Sequence, residues 1–416
     1  MTAPKMPAGA TESADLVIAG GGLVGATLGL AAARGGLTVA IVDREQPEDY
    51  LDAAFDGRAS AIAFSSKRLF TELGLWEAML PFAGAIHDIR VTDGASPLFL
   101  HYDHREVGDE ALGWIVENQA IRSALFRATS DHPRITWRHG AAISGWREDG
   151  ASVVAATDDG AAIRAALLVA ADGRRSRLRA EAGIRTSEWS YNQSGIVCTA
   201  VHELGHANIA HERFLPAGPF AILPLPDRDG KHRSSIVWTE RSDVAAAIMQ
   251  LPLERFEEEL RSRFGDFLGH VATEGRRWSW PLGVVLAERY TAPRFALAGD
   301  AAHGMHPIAG QGFNMGLRDV AALAEQLVDA RRVGLDIGAS DVLARYERWR
   351  HFDNGAMIAV TDLLNRLFSN DIAPLKLARD LGLGIVNRLP PVRRMFMRHA
   401  MGSVGELPRL MRGEPL

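Results

Sequence analysis

Asp15-Leu-Val-Ile-Ala19 followed by Gly20-Gly21-Gly22-Leu23-Val24-Gly25 is the stretch on which the fold turns. Leu16–Ala19 is a short apolar run of the kind buried in a parallel sheet. The glycines interrupt it, and Leu23–Arg34 then reads as a helix. A second strand, 38–42, ends at Asp43 and completes a βαβ unit. In that setting Gly20 permits the tight turn, Gly22 lets backbone approach a pyrophosphate, and Gly25 lets the helix pack on the strand. The helix N-terminus offers unpaired N–H groups to phosphate oxygens. Asp43 lies 18 residues beyond Gly25, placed to accept from ribose hydroxyls. An acid there favours a free ribose, as in FAD or NAD, over NADP. Residues 16–33 also form an 18-residue run without charge, which touches the length of a membrane span. Five glycines divide that run into strand and helix, so neither spanning nor secretion is expected.

Outward from this unit, residues 1–14 read as a disordered tail and a polar loop runs to Asp56. A helix is predicted over 59–73, a strand over 86–92, and a helix over 120–129 after Asn118. Alternation over 134–157 predicts antiparallel hairpins. Residues 167–171 and 295–298 are short buried-strand runs. Between them the texture is β-rich, at 195–201, 220–225, 234–238 and 278–280, with a helix over Leu253–Phe264. From 313 onward the chain reads as largely helical. The expected organisation is therefore a tail over 1–13 and a nucleotide-binding domain over 14–185, with some strands near 86–115 belonging to a second domain. That second, sheet domain occupies 186–285, the first resumes over 286–335, and a helical region covers 336–416.

Composition narrows the class. The 416 residues are 47 % hydrophobic and 23 % charged, which excludes an intrinsically disordered chain. A formal charge of −5 argues against bulk nucleic-acid binding. The single cysteine, Cys198, excludes an internal disulfide and any multi-cysteine metal site, and fits a reducing, cytoplasmic compartment.

Two further motifs carry chemistry. Ala171-Asp172-Gly173-Arg174-Arg175-Ser176-Arg177-Leu178-Arg179 reads alone as a turn with Ser176 as N-cap of a basic helix. Gly299-Asp300-Ala-Ala-His303-Gly-Met-His306-Pro307-Ile-Ala-Gly310-Gln-Gly312-Phe313-Asn314 follows a short strand and opens a long helix. It would present a carboxylate and bare N–H groups to one ligand. These three motifs, in this order, resemble the FAD-dependent aromatic-ring hydroxylases with the para-hydroxybenzoate hydroxylase fold. Gly299 through Asp319, Asp56-Gly-Arg-Ala-Ser60, Glu212-Arg-Phe214 with Gly218-Pro-Phe-Ala-Ile-Leu-Pro224, and Leu364-Asn-Arg-Leu-Phe-Ser-Asn370 narrow the likeness to the ubiquinone-biosynthesis hydroxylases.

The resemblance implies an α/β + β fold: an FAD-binding Rossmann-like domain of glutathione-reductase type, an inserted, mostly antiparallel-sheet substrate domain, and a helical C-terminus. It implies hydroxylation of a polyprenylated phenol by O2 through a C4a-hydroperoxyflavin, with NAD(P)H as a transient reductant, since no second glycine fingerprint is present. Gly20, Gly22, Gly25 and Asp43 would hold the ADP half, Arg58 the flavin side, and Asn118 the pyrophosphate region. Asp172 would bridge FAD and a second nucleotide, and Asp300 would meet pyrophosphate or ribityl oxygens. The N–H groups of Gly312, Phe313 and Asn314 would stabilise negative charge on the flavin. His303, His306 and Pro307 would lie near the isoalloxazine and are the candidate catalytic residues.

Competing readings have less behind them. His202-Glu203-Leu204-Gly205-His206 matches the HExxH zinc pattern, but it starts at the end of a strand and Gly205 weakens a helix there, so no metal is expected. A hydroxylase of a soluble aromatic acid and a non-catalytic scaffold keeping the fold are the alternatives to the lipid-tailed phenol. The apolar 220–223 run favours the lipid tail. Residues 388–412 hold six arginines against Glu406, interleaved with Leu389, Met395 and Phe396. Such a segment is either a solvated basic end or a contact for the inner face of a membrane or a ubiquinone-biosynthesis complex.

Overall fold

The computed structural model describes residues 12–51, 57–94, 99–305, 310–368 and 389–416. Strand Leu16–Ala19 and helix α1, Leu23–Arg34, fall where the apolar pattern changes period at the glycines. Leu16–Ala19 is wholly buried, because parallel neighbours flank it on both sides. The sheet around it has six strands in the order 291–292, Phe295–Leu297, Leu167–Ala170, Leu16–Ala19, Val39–Asp43 and Ile135–His139. All pairings are parallel except the first. Ile135–His139 corrects one expectation. Its alternation does mark a strand, but it adds in parallel to Val39–Asp43 instead of forming a hairpin. The hairpin is the next pair, Ile143–Asp149 with Ser152–Thr157.

Two other expectations change. Ala59–Ala63 is a strand, paired antiparallel with Gly113–Glu117, and the helix begins only at Phe64. The alanines suggested helix, but sheet pairing outweighs intrinsic propensity. Glu12 and Ser13, assigned to the tail, form a strand beside Ile163 and Arg164, and Glu12 pairs with Arg138.

The second sheet builds the wall of the site. Its strands are β1 Asp88–Asp93, β2 Phe99–Asp103, β3 Thr186–His202, β4 Ile209–Leu215, β5 Gly218–Arg228, β6 Lys231–Arg241, β7 Val271–Ala287 and β8 His303–Gly304. Their order is β8-β7-β3-β6-β5-β4-β1-β2, antiparallel throughout except β4 with β1. Alternation gives this sheet two different faces. One face, with Ile196, Cys198, Phe220, Ile236 and Trp238, packs on Phe256, Leu260 and Phe264 of helix Leu253–Phe264. The other face looks into a cavity. Helices α2 Gln311–Arg332, α3 Ser340–Phe368 and α4 Pro390–Ala400 follow. Among the described residues no helix is long and apolar enough to cross a membrane.

Candidate active site

The glycine turn is set by steric closeness. Gly20 has φ +101°, and a Cβ there would lie 2.5 Å from the Ala171 carbonyl oxygen. A Cβ on Gly25 would lie 1.8 Å from the carbonyl oxygen of Gly20. At Gly22, the N-cap of α1, a Cβ would meet nothing within 4 Å, because the position opens on the cavity. No side chain caps α1. Asp43 closes the loop from the neighbouring strand: its carboxylate accepts from the Gly21 N–H and, at 2.8 Å, from that of Glu45.

Helix α2 also begins bare. Its N-cap, Gly310, supplies no side chain to bond the first N–H groups, and the first turn holds no acid. Both uncapped N-termini line the same cavity, of about 2160 Å³. That exceeds the 300–1,000 Å³ typical of a single ligand, so two molecules fit side by side. With Gly310 as cap, the N–H groups of Gln311, Gly312 and Phe313 lie ahead of the helix's own hydrogen-bond ladder. The Asn314 N–H is the first to bond within the helix. The Asn314 side chain is committed as well: Oδ1 accepts from Ala63 N–H at 2.8 Å, and Nδ2 donates to the carbonyls of Ala61 and Gly310 at 2.9 and 3.0 Å. Asn314 thus clamps strand Ala59–Ala63 onto α2.

Asp300 projects into the cavity between these helices. Desolvation raises its carboxyl, opposed by His303 and Arg174. Arg58 stands over the Trp278 ring at 5.1 Å. Its carbonyl accepts from the Asn118 N–H at 3.0 Å, and the Ser60 hydroxyl donates to Asn118 Oδ1 at 2.7 Å. Arg58 and Asn118 are therefore held together. Asp172 is exposed, between the cavity-lining Ala171 and Gly173. Arg179 binds both loops, donating to the carbonyls of Ala301 and Arg174.

His303 is placed differently from the expectation. It is 1 % exposed and does not line the cavity. Its Nε2 lies 2.5 Å from Asp319 Oδ2, which also accepts from the Gly299 N–H at 3.0 Å. Asp319 Oδ1 accepts from Arg350 Nε at 2.9 Å and from Asn354 at 3.2 Å. The imidazole is tied to a buried ionic knot beneath the Gly299-Asp300 turn and does not reach the cavity. His306 and Pro307 lie outside the described residues, as do Asp56 and 369–370.

Sequence reading missed this knot and one more group. Asp319 could have been found as the lone acid between Leu317 and Val320 on a buried helical face. The other is Glu212, of the Glu212-Arg-Phe214 motif. Its signal was alternation, since Ala210 and Phe214 put it on an apolar face. The zinc pattern is accounted for by hydrogen bonding. His202 contacts Leu204 O at 2.8 Å and Ser234 Oγ at 2.9 Å; His206 contacts Leu225 O at 2.9 Å and accepts from Asn208 N–H at 3.0 Å. All four ring nitrogens are thereby engaged.

The FAD binding domain family matches residues 13–358. A ubiquinone hydroxylase, UbiL, of Rhodospirillum rubrum is 52 % identical over 98 % of this chain and 94 % of that protein. The chain belongs to the FAD-dependent hydroxylases of ubiquinone biosynthesis. The 3-demethoxyubiquinol 3-hydroxylase of Escherichia coli is 34 % identical, over 94 % of this chain and 99 % of its own. The human mitochondrial ubiquinone biosynthesis monooxygenase COQ6 is 33 % identical, over 93 % and 92 %. Among solved structures, p-nitrophenol 4-monooxygenase PnpA of Pseudomonas putida superposes with a TM-score of 0.79 at 18 % identity, covering 95 % of this chain and all of that one. This likeness gives the fold: an FAD-binding Rossmann-like domain joined to a mostly antiparallel sheet. This hydroxylase is an FAD-dependent monooxygenase, and two bare helix N-termini opening on one cavity suit a cofactor with an anionic pyrophosphate and an anionic reduced ring.

Proposed function

We propose that this protein hydroxylates the aromatic ring of a polyprenylated phenol in ubiquinone biosynthesis, with O2 as co-substrate and NAD(P)H as transient reductant. The observation that carries the reading is the cavity wall. The sheet face presents Ile89, Val91, Leu100, Phe214, Ala221 and Val237; the cavity's arginines come from outside the sheet, and Arg179, Arg318 and Arg350 among them are already bonded to backbone carbonyls or to Asp319. A lipid-tailed ring suits that wall better than an aromatic acid.

Gly20, Gly22 and Gly25 shape the turn that receives pyrophosphate, and Asp43 is set for the ribose. Arg58, Asn118, Asp172 and Asp300 would contact the rest of FAD. The N–H groups at the start of α2, around Gly312 and Phe313, would stabilise negative charge on its ring. Bound FAD, when reduced, supplies the electrons and activates O2. The chain's share is to orient the phenol, to keep water out with Trp280, Leu282 and Phe313 on the walls, and to hold the ring electronics. Purified protein should release FAD on denaturation. It should consume NAD(P)H and O2 in proportion to added prenylated phenol and yield the catechol by mass spectrometry. Cofactor oxidation unaffected by every prenylated phenol, yet stimulated by a soluble aromatic acid, would reverse the substrate assignment.

The mouth of the cavity supports a membrane approach. Met395 and Phe396 of α4 line the cavity and are exposed, with Arg394 and Arg398 exposed beside them. Arg393 is spent on Glu106. An apolar rim with cations is the pattern of an interfacial helix on anionic lipid. The double variant Met395→Ser/Phe396→Ser is expected to lower co-sedimentation with phosphatidylglycerol vesicles at least tenfold while keeping flavin content. Equal vesicle binding by wild type and variant would remove α4 from the membrane contact.

A further inference from the structure

Glu212 is a carboxylate on a largely apolar stretch of the cavity wall. Along β4 its side chain shares the cavity side with Ala210 and Phe214. Across the sheet it faces Ala221 of β5 and Val91 of β1. It forms no hydrogen bond or ion pair with a described residue. The surface it retains opens on the cavity. A carboxylate left unpartnered on such a wall is unfavourable unless something else satisfies it. The cavity is the one direction from which a partner could come.

We propose that Glu212 binds the phenolic hydroxyl of the substrate and takes its proton during ring hydroxylation. The inference rests on the phenol-hydroxylase reading above and adds the group that would activate the ring. In the step, the phenolic O–H bond breaks and an O–H bond forms on the Glu212 carboxylate. The electron pair stays on the phenol oxygen and delocalises to the ring carbons ortho and para to it, which makes them better nucleophiles toward activated oxygen. O2 and the reductant of the established activity supply the oxidation, and no other co-reactant is needed. The ring hydrogen then leaves as a proton.

The surroundings set the pH at which this works. Desolvation pushes the Glu212 carboxyl up to about 7, with no charged neighbour contributing. A base with a pKa near the working pH transfers protons best. Of the neighbouring titratable groups, Tyr102 of β2 shares the cavity wall, and its hydroxyl is pushed further up by burial, so it stays neutral. His211, next along β4, is pulled down to about 4 by burial and by Arg90 and Arg213, so it is neutral too. Arg90 and Arg213 alternate onto the side of the sheet away from Glu212. Glu212 is thus the group on this wall that changes charge around neutrality.

The test uses the FAD-loaded full chain and a phenol carrying a short prenyl tail. Wild-type kcat should rise with pH through about 7. Glu212→Gln should lower kcat about 100-fold at pH 7.5, a typical contribution of a general base, and lose that rise. Glu212→Asp should keep the rise with a smaller loss. A second readout is independent of turnover. The protonated-carboxyl band of Glu212 in infrared difference spectra should disappear with a midpoint near 7 in wild type, shift when the phenol binds, and be missing from Glu212→Gln. A Glu212→Gln enzyme with unchanged flavin spectrum, wild-type rate and the same pH profile would overturn the proposal. Failure of the wild type itself to hydroxylate the phenol would instead count against the substrate reading.

Discussion

Gly25→Ala is expected to give protein that purifies colourless and cannot be reloaded with FAD at micromolar concentration. The added Cβ would sit 1.8 Å from the Gly20 carbonyl oxygen and 3.0 Å from its carbon, both backbone atoms. Carbon atoms in ordinary contact stand about 3.5 Å apart, so helix and turn must separate by well over an ångström. The turn cannot easily retreat, because the Gly20 N–H donates to the Val42 carbonyl at 2.8 Å and the Ala19 carbonyl beside it accepts from the Ala171 N–H at 2.8 Å. The helix N-terminus therefore moves, and its N–H groups move with it. A misplacement of about 1 Å at a binding group costs on the order of 100-fold, and FAD affinity should fall at least that much, about 2.7 kcal/mol. Gly22→Ala separates binding from folding. Its Cβ meets nothing within 4 Å, so the melting temperature should hold while FAD affinity falls. The ratio of visible to ultraviolet absorbance after gel filtration, with FAD titration, reads both variants. Stoichiometric FAD on Gly25→Ala would show that the closeness of turn and helix is not what the cofactor needs.

The second large effect is Asp319→Asn. Asp319 and Arg350 are 0 % and 1 % exposed, and His303 joins them from β8, three residues after Asp300. Burial by itself would raise the Asp319 carboxyl, but His303 and Arg350 outweigh it and bring it down to about 2. Removing one member of a buried ion pair costs about 3–5 kcal/mol, because the partner's charge stays buried. Arg350 keeps Asp353 at 2.8 Å, so the lower end, about 3 kcal/mol, is expected in denaturant unfolding. The pH sign follows from the depressed value. An unfolded aspartate titrates near 3.9, so the stabilisation is fully present above about pH 4 and is lost as pH falls toward 2. The variant should therefore show a flatter loss of stability between pH 4 and 2. A variant matching the wild type in both melting and acid profile would mean that the knot adds nothing to stability.

The Gly299 N–H bond to Asp319 carries this effect into the site. Loosening it frees the turn that aims Asp300 at the cavity. This explains why the sequence alone could not place His303. Chain order puts it within three residues of Asp300, but whether an imidazole reaches a cavity or a buried acid depends on a helix 16 residues further on. The glycine turn was legible because strand and helix periods meet there and each glycine has a local reason. Ala59–Ala63 was not, since alanines favour helix alone and only pairing with Gly113–Glu117 makes them a strand. Ile135–His139 shows the limit from the other side: alternation marks a strand but does not say which neighbour it joins. Glu212 was legible in principle, as a charge breaking an apolar alternation.

The large sheet has one more consequence, for how this enzyme could change over generations. Neighbouring residues on β3, β5 and β6 have separate duties: Ile196, Phe220 and Trp238 hold the helices, while Val197, Ala221 and Val237 shape the chamber. A scan of all single substitutions should thus show tolerance rising and falling with a period of two. Changes at the chamber positions would shift which ring or tail is accepted and leave folding alone. A one-residue insertion would exchange the two sets at once, so new substrate preferences are open to this lineage by substitution and closed to it by frame slippage within the strands.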